Sequence, residues 1–308
     1  MVEGSNGTIT MTYTRGSRYS FSTPDDGCVT PETCRVTWQW INVCILLHRV
    51  GPLLTLNHDA RNHVFKINYI QFMAKPKPAV DLQIRYKDNL INNMYSTNFL
   101  GLTLDSTLSW KTYIDQLSSK LNSACYIIRS LRSIISIKIL LSIYFSYVHS
   151  VITYGIIFWG NSPYSNDIFK LQKKRSIRII MNASSRVSCR EFFKKLNILP
   201  LHSQYILSLM LFVVQNMQEF TSNSEVHTIN TRHRSDLHVP SITLTKYQKG
   251  VYYSGVRVFN HLPQNIKSLS SNVKSFKSAL KRFLLMVSFY SLDEYFGWIS
   301  MRDLGTYM

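Results

Sequence analysis

Two sets of side chains in this sequence could do chemistry: a few acidic pairs, and a dense run of lysines and arginines. Metal-dependent nucleotidyl transfer needs two or three carboxylates converging on Mg2+, because paired metals clamp the attacking and leaving oxygens. Before the last twenty residues the one adjacent acidic pair is Asp25-Asp26. It lies between Pro24 and Gly27, with no apolar strand on either side to hold it, and reads as a solvated turn. Asp293-Glu294 reads as a solvated pair as well. Cys28, Cys34, Cys44 and His48 follow a C-x5-C-x9-C-x3-H spacing. That is not the spacing of a zinc finger or knuckle, so free cysteines are expected. His227, His233 and His238 lie in a polar stretch without ligand spacing. No Gly-rich phosphate loop, nucleophile elbow or His-Glu-x-x-His motif occurs. Neither a catalytic residue nor a metal ligand is assigned.

The basic residues point to a partner instead. The 308 residues carry 35 Lys and Arg against 17 Asp and Glu, a net charge of +18. Such a field attracts polyanions, either nucleic acid or an anionic surface. Residues 1–60 hold four basic and five acidic side chains, so all of the excess belongs to the body that follows. It peaks over 166–195, where Lys170, Lys173, Lys174, Arg175, Arg178, Arg186, Arg190, Lys194 and Lys195 face only Asp167 and Glu191. Lys170, Lys173, Lys174 and Arg178 are spaced i, i+3, i+4 and i+8, roughly one helical face. Such a face either tracks phosphates or is a solvated helix surface, and the scarcity of neighbouring acids puts the first reading level with the second.

The elements that must position these residues are read from periodicity. Hydrophobic residues make up 45% of the chain and mean hydropathy is -0.05, enough to build a core. Residues 1–52 are rich in Gly, Ser, Thr and Pro and read as weakly ordered. Residues 53–105 read as β-rich, with strands at 68–73, around Leu82, Ile84 and Tyr86, and at 98–104. Residues 106–218 read as helices. Ser109 is the expected N-cap of the first, and Trp110, Ile114, Leu117, Leu121, Ala124, Ile128 and Leu131 its apolar stripe. Further helices are expected at about 137–159, 164–182 and 201–218.

Residues 219–308 read as mixed: a surface loop at 221–238, a short strand at Ser241–Leu244 and a basic amphipathic helix over 271–287. In that helix Val273, Phe276, Leu280, Phe283 and Leu284 face one side, while Lys274, Lys277, Lys281 and Arg282 lie away from it. The fold class is α+β, mostly α. Ile139 to Trp159 carries no Lys, Arg, Asp or Glu and matches a bilayer in length. Its stripe of Ser142, Ser146, His149, Ser150 and Thr153 instead suits a helix buried on most sides within a bundle, and Gly155 suggests a break. Five irregularly spaced cysteines and a start without a secretory pattern make an intracellular protein, nuclear or cytoplasmic, the expectation.

From residue 99 the sequence resembles a known family. Phe99-Leu-Gly-Leu-Thr-Leu-Asp-Ser-Thr-Leu-Ser-Trp110 is similar to the segment that follows the catalytic palm motifs in reverse transcriptases of non-LTR (LINE, jockey-like) retrotransposons. The likeness continues in Tyr154-Gly-Ile-Ile-Phe-Trp-Gly160, Leu171-Gln-Lys-Lys-Arg-Ser-Ile-Arg178 and Asn197-Ile-Leu-Pro200. Beyond these come Tyr247-Gln-Lys-Gly250, Phe259-Asn-His-Leu-Pro263 and Phe276-Lys-Ser-Ala-Leu-Lys-Arg-Phe283. Upstream, Leu53–Asn57 and Lys66–Phe72 look like the strand region after the family's catalytic hairpin, with about nine extra residues, His58 to Lys66, at the junction.

The resemblance spans about 53–290 and implies RNA-directed DNA polymerase ancestry. It implies a palm-rim β remnant (53–105), a helical thumb-like domain (106–218) and a C-terminal region with a basic helix (219–308), after an unrelated segment, 1–52. Phe99, Leu100 and Gly101 would match the primer grip, and Lys66 the lysine before the motif D strand. The family's Tyr/Phe-Ala-Asp-Asp hairpin, which holds Mg2+ in intact members, does not occur in this sequence. The expectation is a truncated, reverse-transcriptase-like protein without polymerase activity of its own. It would bind RNA or an RNA–DNA duplex through Lys170, Lys173, Lys174, Arg175, Arg178, Lys194, Lys195, Lys277 and Lys281. Two alternatives stand beside it: a membrane-associated helical protein anchored through 139–159, and a non-functional expressed gene fragment.

Overall fold

The apolar stripe after residue 109 does make one long helix, α1 (Lys111–Leu131), and buries Tyr113, Ile114, Leu117, Leu121, Ala124, Cys125 and Ile128 on its inner face. The computed structural model describes residues 9–12, 18–21, 52–59, 64–72, 85–86, 89–226, 234 and 236–303. The chain forms two units, Met1–Asn42 and Val43–Met308. In the first, β1 (Ile9–Thr12) pairs antiparallel with β2 (Arg18–Phe21). Asp25-Asp26 and the Cys28, Cys34, Cys44 and His48 set lie outside the described residues.

The second unit opens with small β elements. β3 (Pro52–Asp59) and β4 (Val64–Gln71) form an antiparallel hairpin in which Asn57 pairs Lys66, His58 pairs Phe65 and Asp59 pairs Val64. Residues 58–59 and 64–66 of the junction segment thus belong to the two paired strands. The strand expected at 68–73 begins earlier, at Val64, and ends at Gln71. β4 also pairs in parallel with β7 (Asn92–Asn93). Of the strand expected around Leu82 and Ile84, the described part is β5 (Arg85–Tyr86), paired with β6 (Asn89–Leu90).

The single strand expected at 98–104 is instead a hairpin. β8 (Ser96–Phe99) pairs with β9 (Leu102–Asp105), and Leu100 and Gly101 turn the chain between them. Both turn residues have positive φ, 47° and 75°, as a two-residue turn that matches strand twist requires. Gly101 takes this conformation at no steric cost, whereas Leu100 is strained in it.

The rest is mostly helical. After α1, α2 (Ile137–Ile143) runs through a π-helical stretch (Tyr144–His149) into α3 (Ser150–Thr153). The break at Tyr154-Gly155, with Gly155 at φ 59°, precedes α4 (Ile156–Trp159). Ser142, Ser146 and Ser150 are exposed, so the stripe does not face a bundle interior. Their hydroxyls, with Thr153, bond back to carbonyls one turn earlier. That local bonding satisfies them without a neighbouring helix. No helix among the described residues is long and apolar enough to cross a membrane.

α5 (Ser165–Leu171) passes through a second π-helical stretch (Gln172–Ile177) into α6 (Arg178–Met181), followed by α7 (Arg190–Lys195). α8 (Leu201–Gln215) is the hub and is buried on nearly every side, including Leu201, Tyr205, Ile206, Leu209, Met210 and Val213. An uncharged sequence makes such burial favourable at roughly 25 cal/mol per Å2.

α8 packs against α4, α11 (Val251–Asn260) and α13 (Val273–Val287). α9 (Asn223–Val226), α10 (Thr245–Gln248), α12 (Gln264–Lys267) and α14 (Leu292–Asp303) complete the unit. The region after 219 is thus mainly helical. Ser241–Leu244 is not a strand; the carbonyl of Ile242 accepts from Gln248 Nε2 (2.9 Å) and leads the chain into α10. Within 221–238, Ser222 bridges Leu237, and Asp236 is largely buried against Lys267 (2.9 Å). α13 follows expectation: Phe276, Leu280, Phe283 and Leu284 are buried, and Asn272 caps its first turn.

Candidate nucleic-acid interface

Asp105 fixes the β8–β9 hairpin to the start of α1. Its carboxylate accepts from Thr107 N and Oγ1 (3.0 and 2.6 Å), Ser109 N and Oγ (2.9 and 3.0 Å) and Trp110 N (3.0 Å). The N-cap position belongs to Trp110, not Ser109, and Trp110 sits at φ 64°. Partial burial alone would raise the Asp105 pKa, but these bonds outweigh it and hold the carboxyl below its ordinary value. Thr103 Oγ1 adds a link from the hairpin to α1 by donating to Asn98 Oδ1 (2.8 Å) or Gln116 Oε1 (3.1 Å).

From the other side the Tyr154 hydroxyl donates to the Leu100 carbonyl. A Cβ on Gly155 would sit 3.0 Å from the Leu102 side chain, so that residue admits the hairpin closely. The expected primer-grip residues Phe99, Leu100 and Gly101 thus form a tethered turn whose tip, Gly101, is exposed.

Gln172 fixes the basic helix in the same manner. Its Nε2 donates to Tyr144 Oη (2.9 Å) and Leu199 O (3.0 Å), while its Oε1 accepts from Leu201 N (2.9 Å). The residues that carry the sequence resemblance therefore touch one another: 171–178 holds 197–200, and 154–160 holds 99–102.

Between α1 and the 165–177 stretch lies a groove of about 350 Å3, lined by Ser118, Asn122, Asp167, Lys170, Leu171, Lys174 and Arg175. Lys170 pairs with Asp167 across 2.9 Å of exposed surface, a pair that contributes little to stability. Arg175 Nη1 donates to Asn122 Oδ1 (2.7 Å), which aims the guanidinium along the groove wall, and Lys174 is exposed. Ser118 and Asn122 were not legible as site residues: their only signal was i, i+4 spacing on the outer face of α1.

The four residues expected on one face do not share it. Lys170 and Lys174 line the groove, while Lys173 Nζ lies 4.7 Å from the Tyr290 ring centroid. Arg178 Nη2 donates to Val187 O (3.1 Å). Lys173 and Lys174 are adjacent in sequence and so point about 100° apart around the helix, one toward Tyr290 and the other into the groove. Lys194 pairs with Glu191 (3.0 Å) and Lys195 is exposed, both on α7. Lys277 is exposed on α13, and Lys281 is close enough to His149 to help burial lower that ring's pKa. None of these four lines the groove. Glu294 is not solvated as expected; it accepts from Arg190 and from Tyr290 N (2.8 Å).

The described residues do not fit the Mg2+ site of intact polymerases. No group of three His, Cys, Asp or Glu among them could hold a metal, and the Asp105 oxygens are already engaged. His227 and His233 lie outside the described residues, and His238 Nδ1 meets Asn223 Oδ1 at 3.3 Å. Cys125 and Cys189 are buried free thiols. No protein-family model, curated protein or solved structure matches the chain.

Proposed function

We propose that this chain is a reverse-transcriptase-like protein of the non-LTR retrotransposon type that holds RNA or an RNA–DNA duplex and does not itself extend a primer. The groove beside α1 carries the reading. Three cations, Lys170, Lys174 and Arg175, line it against one acid, Asp167, together with the small polar side chains of Ser118 and Asn122, a net positive lining suited to phosphate oxygens rather than base edges. The ordered sequence motifs from 99 to 283 support it, and a palm-rim and thumb-like origin is part of the same proposal. Binding by such a groove reads backbone and shape, so it is salt-dependent and sequence-tolerant.

The test is fluorescence anisotropy with a labelled RNA–DNA duplex over a salt series, run beside a Mg2+ primer-extension assay. The expected result is a steep fall of affinity with salt and no extension. A flat salt slope, or robust DNA synthesis, would overturn the reading. A non-functional fragment is the second reading: Tyr126 and Ile134 are 72% and 77% exposed, and a fragment without its packing partner would join such side chains into an aggregating patch. Monodisperse behaviour at moderate salt counts against that alternative.

A further inference from the structure

A second set of cations gathers around Tyr290, away from the groove. Lys173 Nζ lies 4.7 Å and Arg190 Cζ 4.6 Å from the centroid of its ring. Phe169 and Phe193 pack edge-on to the same ring, at 4.9 and 6.2 Å. Glu294 fixes Arg190 and also accepts from the Tyr290 amide. Two polar atoms in this neighbourhood are fully buried with no partner among the described residues, the Tyr290 hydroxyl and Arg178 Nε. Native structures leave few such atoms unsatisfied, so each calls for an explanation.

The chemistry of the set is one-sided. Lys173 and Arg190 stand over the Tyr290 ring and Arg178 is near enough to act on its hydroxyl, while the one carboxylate, Glu294, pairs with Arg190. Burial pushes the Tyr290 hydroxyl up to about 12, which leaves it a neutral O–H donor at neutral pH. The unsatisfied groups are both donors. A phosphate group offers several acceptor oxygens, no donor requirement and about two negative charges, and matches on each count.

We propose that Tyr290, Arg178 and Lys173 form a receptor for one phosphate group, free or terminal, with Arg190 held beside it by Glu294. The proposal is independent of the groove. The chemistry is shared by free phosphate and by the phosphorylated end of a nucleic-acid strand.

Isothermal titration separates the two sources. The probes are inorganic phosphate, and a short oligonucleotide with a 5′-phosphate beside its 5′-hydroxyl twin. Saturable phosphate binding is expected, weakened about ten-fold or more in Tyr290→Phe, which keeps the ring and loses the donor. Lys173→Met, which keeps the stem and loses the charge, should weaken it similarly. Lys138→Ala, which removes an exposed cation of α2 outside both sites, should bind phosphate as the parent does. Preference for the 5′-phosphorylated strand assigns the receptor to strand ends; phosphate binding without that preference assigns it to the free ion. No saturable phosphate response, or an equal response in the folded Tyr290→Phe and Lys173→Met proteins, overturns the proposal.

Discussion

Gln172 and Lys174 stand two residues apart on one helix and have opposite fates. Gln172 is buried and all its hydrogen-bonding use is internal, to Tyr144, Leu199 and Leu201. Lys174 is exposed in a groove that also holds Lys170 and Arg175. The same contrast separates Asp105, whose carboxylate is spent on the turn into α1, from the exposed cations across that helix. A clamp does its work inside the protein, and a groove side chain keeps its charge for a partner. Variants of the first kind should change stability without changing how the folded protein binds, and variants of the second kind the reverse.

The largest expected effect is on the clamp side. Gln172→Ala strands the Leu201 amide and the Tyr144 hydroxyl in the core and should cost about 2–4 kcal/mol. Urea unfolding reads it as a lower midpoint at unchanged slope. A change below about 0.5 kcal/mol would break the contrast.

Asp105→Ala comes next, at about 2 kcal/mol, since it frees several amides at the start of α1. Its pH signature is distinct. The folded carboxyl titrates below its ordinary value of 3.8, so its contribution is complete above that value. It disappears as pH falls through the lower folded value. Asp105→Asn should therefore flatten the acid limb of the stability profile, and a limb identical to the parent's would count against the assignment.

The smallest effect is expected at the boundary between the two classes. Asn122→Ala releases Arg175 without removing charge, so stability should move by about 0.5 kcal/mol and duplex affinity by about two-fold. A ten-fold loss would mean that Asn122 contacts the nucleic acid directly.

The helices were legible where one face is apolar over many turns. In α1 the stripe from Trp110 to Ile128 is buried as its period requires, and α13 likewise shows its four central apolar residues buried. The hairpin was not legible. Apolar residues continue through Phe99-Leu-Gly-Leu-Thr-Leu104, and a turn with Leu100 at positive φ lacks the usual Asn or Asp signal. The π-helical stretches left no mark either, because they change hydrogen-bond register and not composition. The face drawn through Lys170, Lys173, Lys174 and Arg178 divides because Lys173 and Lys174, adjacent in sequence, point about 100° apart. The groove's other wall, Ser118 and Asn122, is some fifty residues away in sequence from Lys170 and Lys174, and only folding brings it near.

The central claim is that Lys170, Lys174 and Arg175 hold a nucleic-acid backbone. The most direct test is the salt dependence of RNA–DNA duplex affinity for the parent chain and for Lys170→Ala/Lys174→Ala/Arg175→Ala. The triple variant should keep its unfolding midpoint, and its log–log salt slope should flatten by about 2–3, at about 0.9 per lost phosphate contact. Parallel slopes for the two proteins would contradict the account.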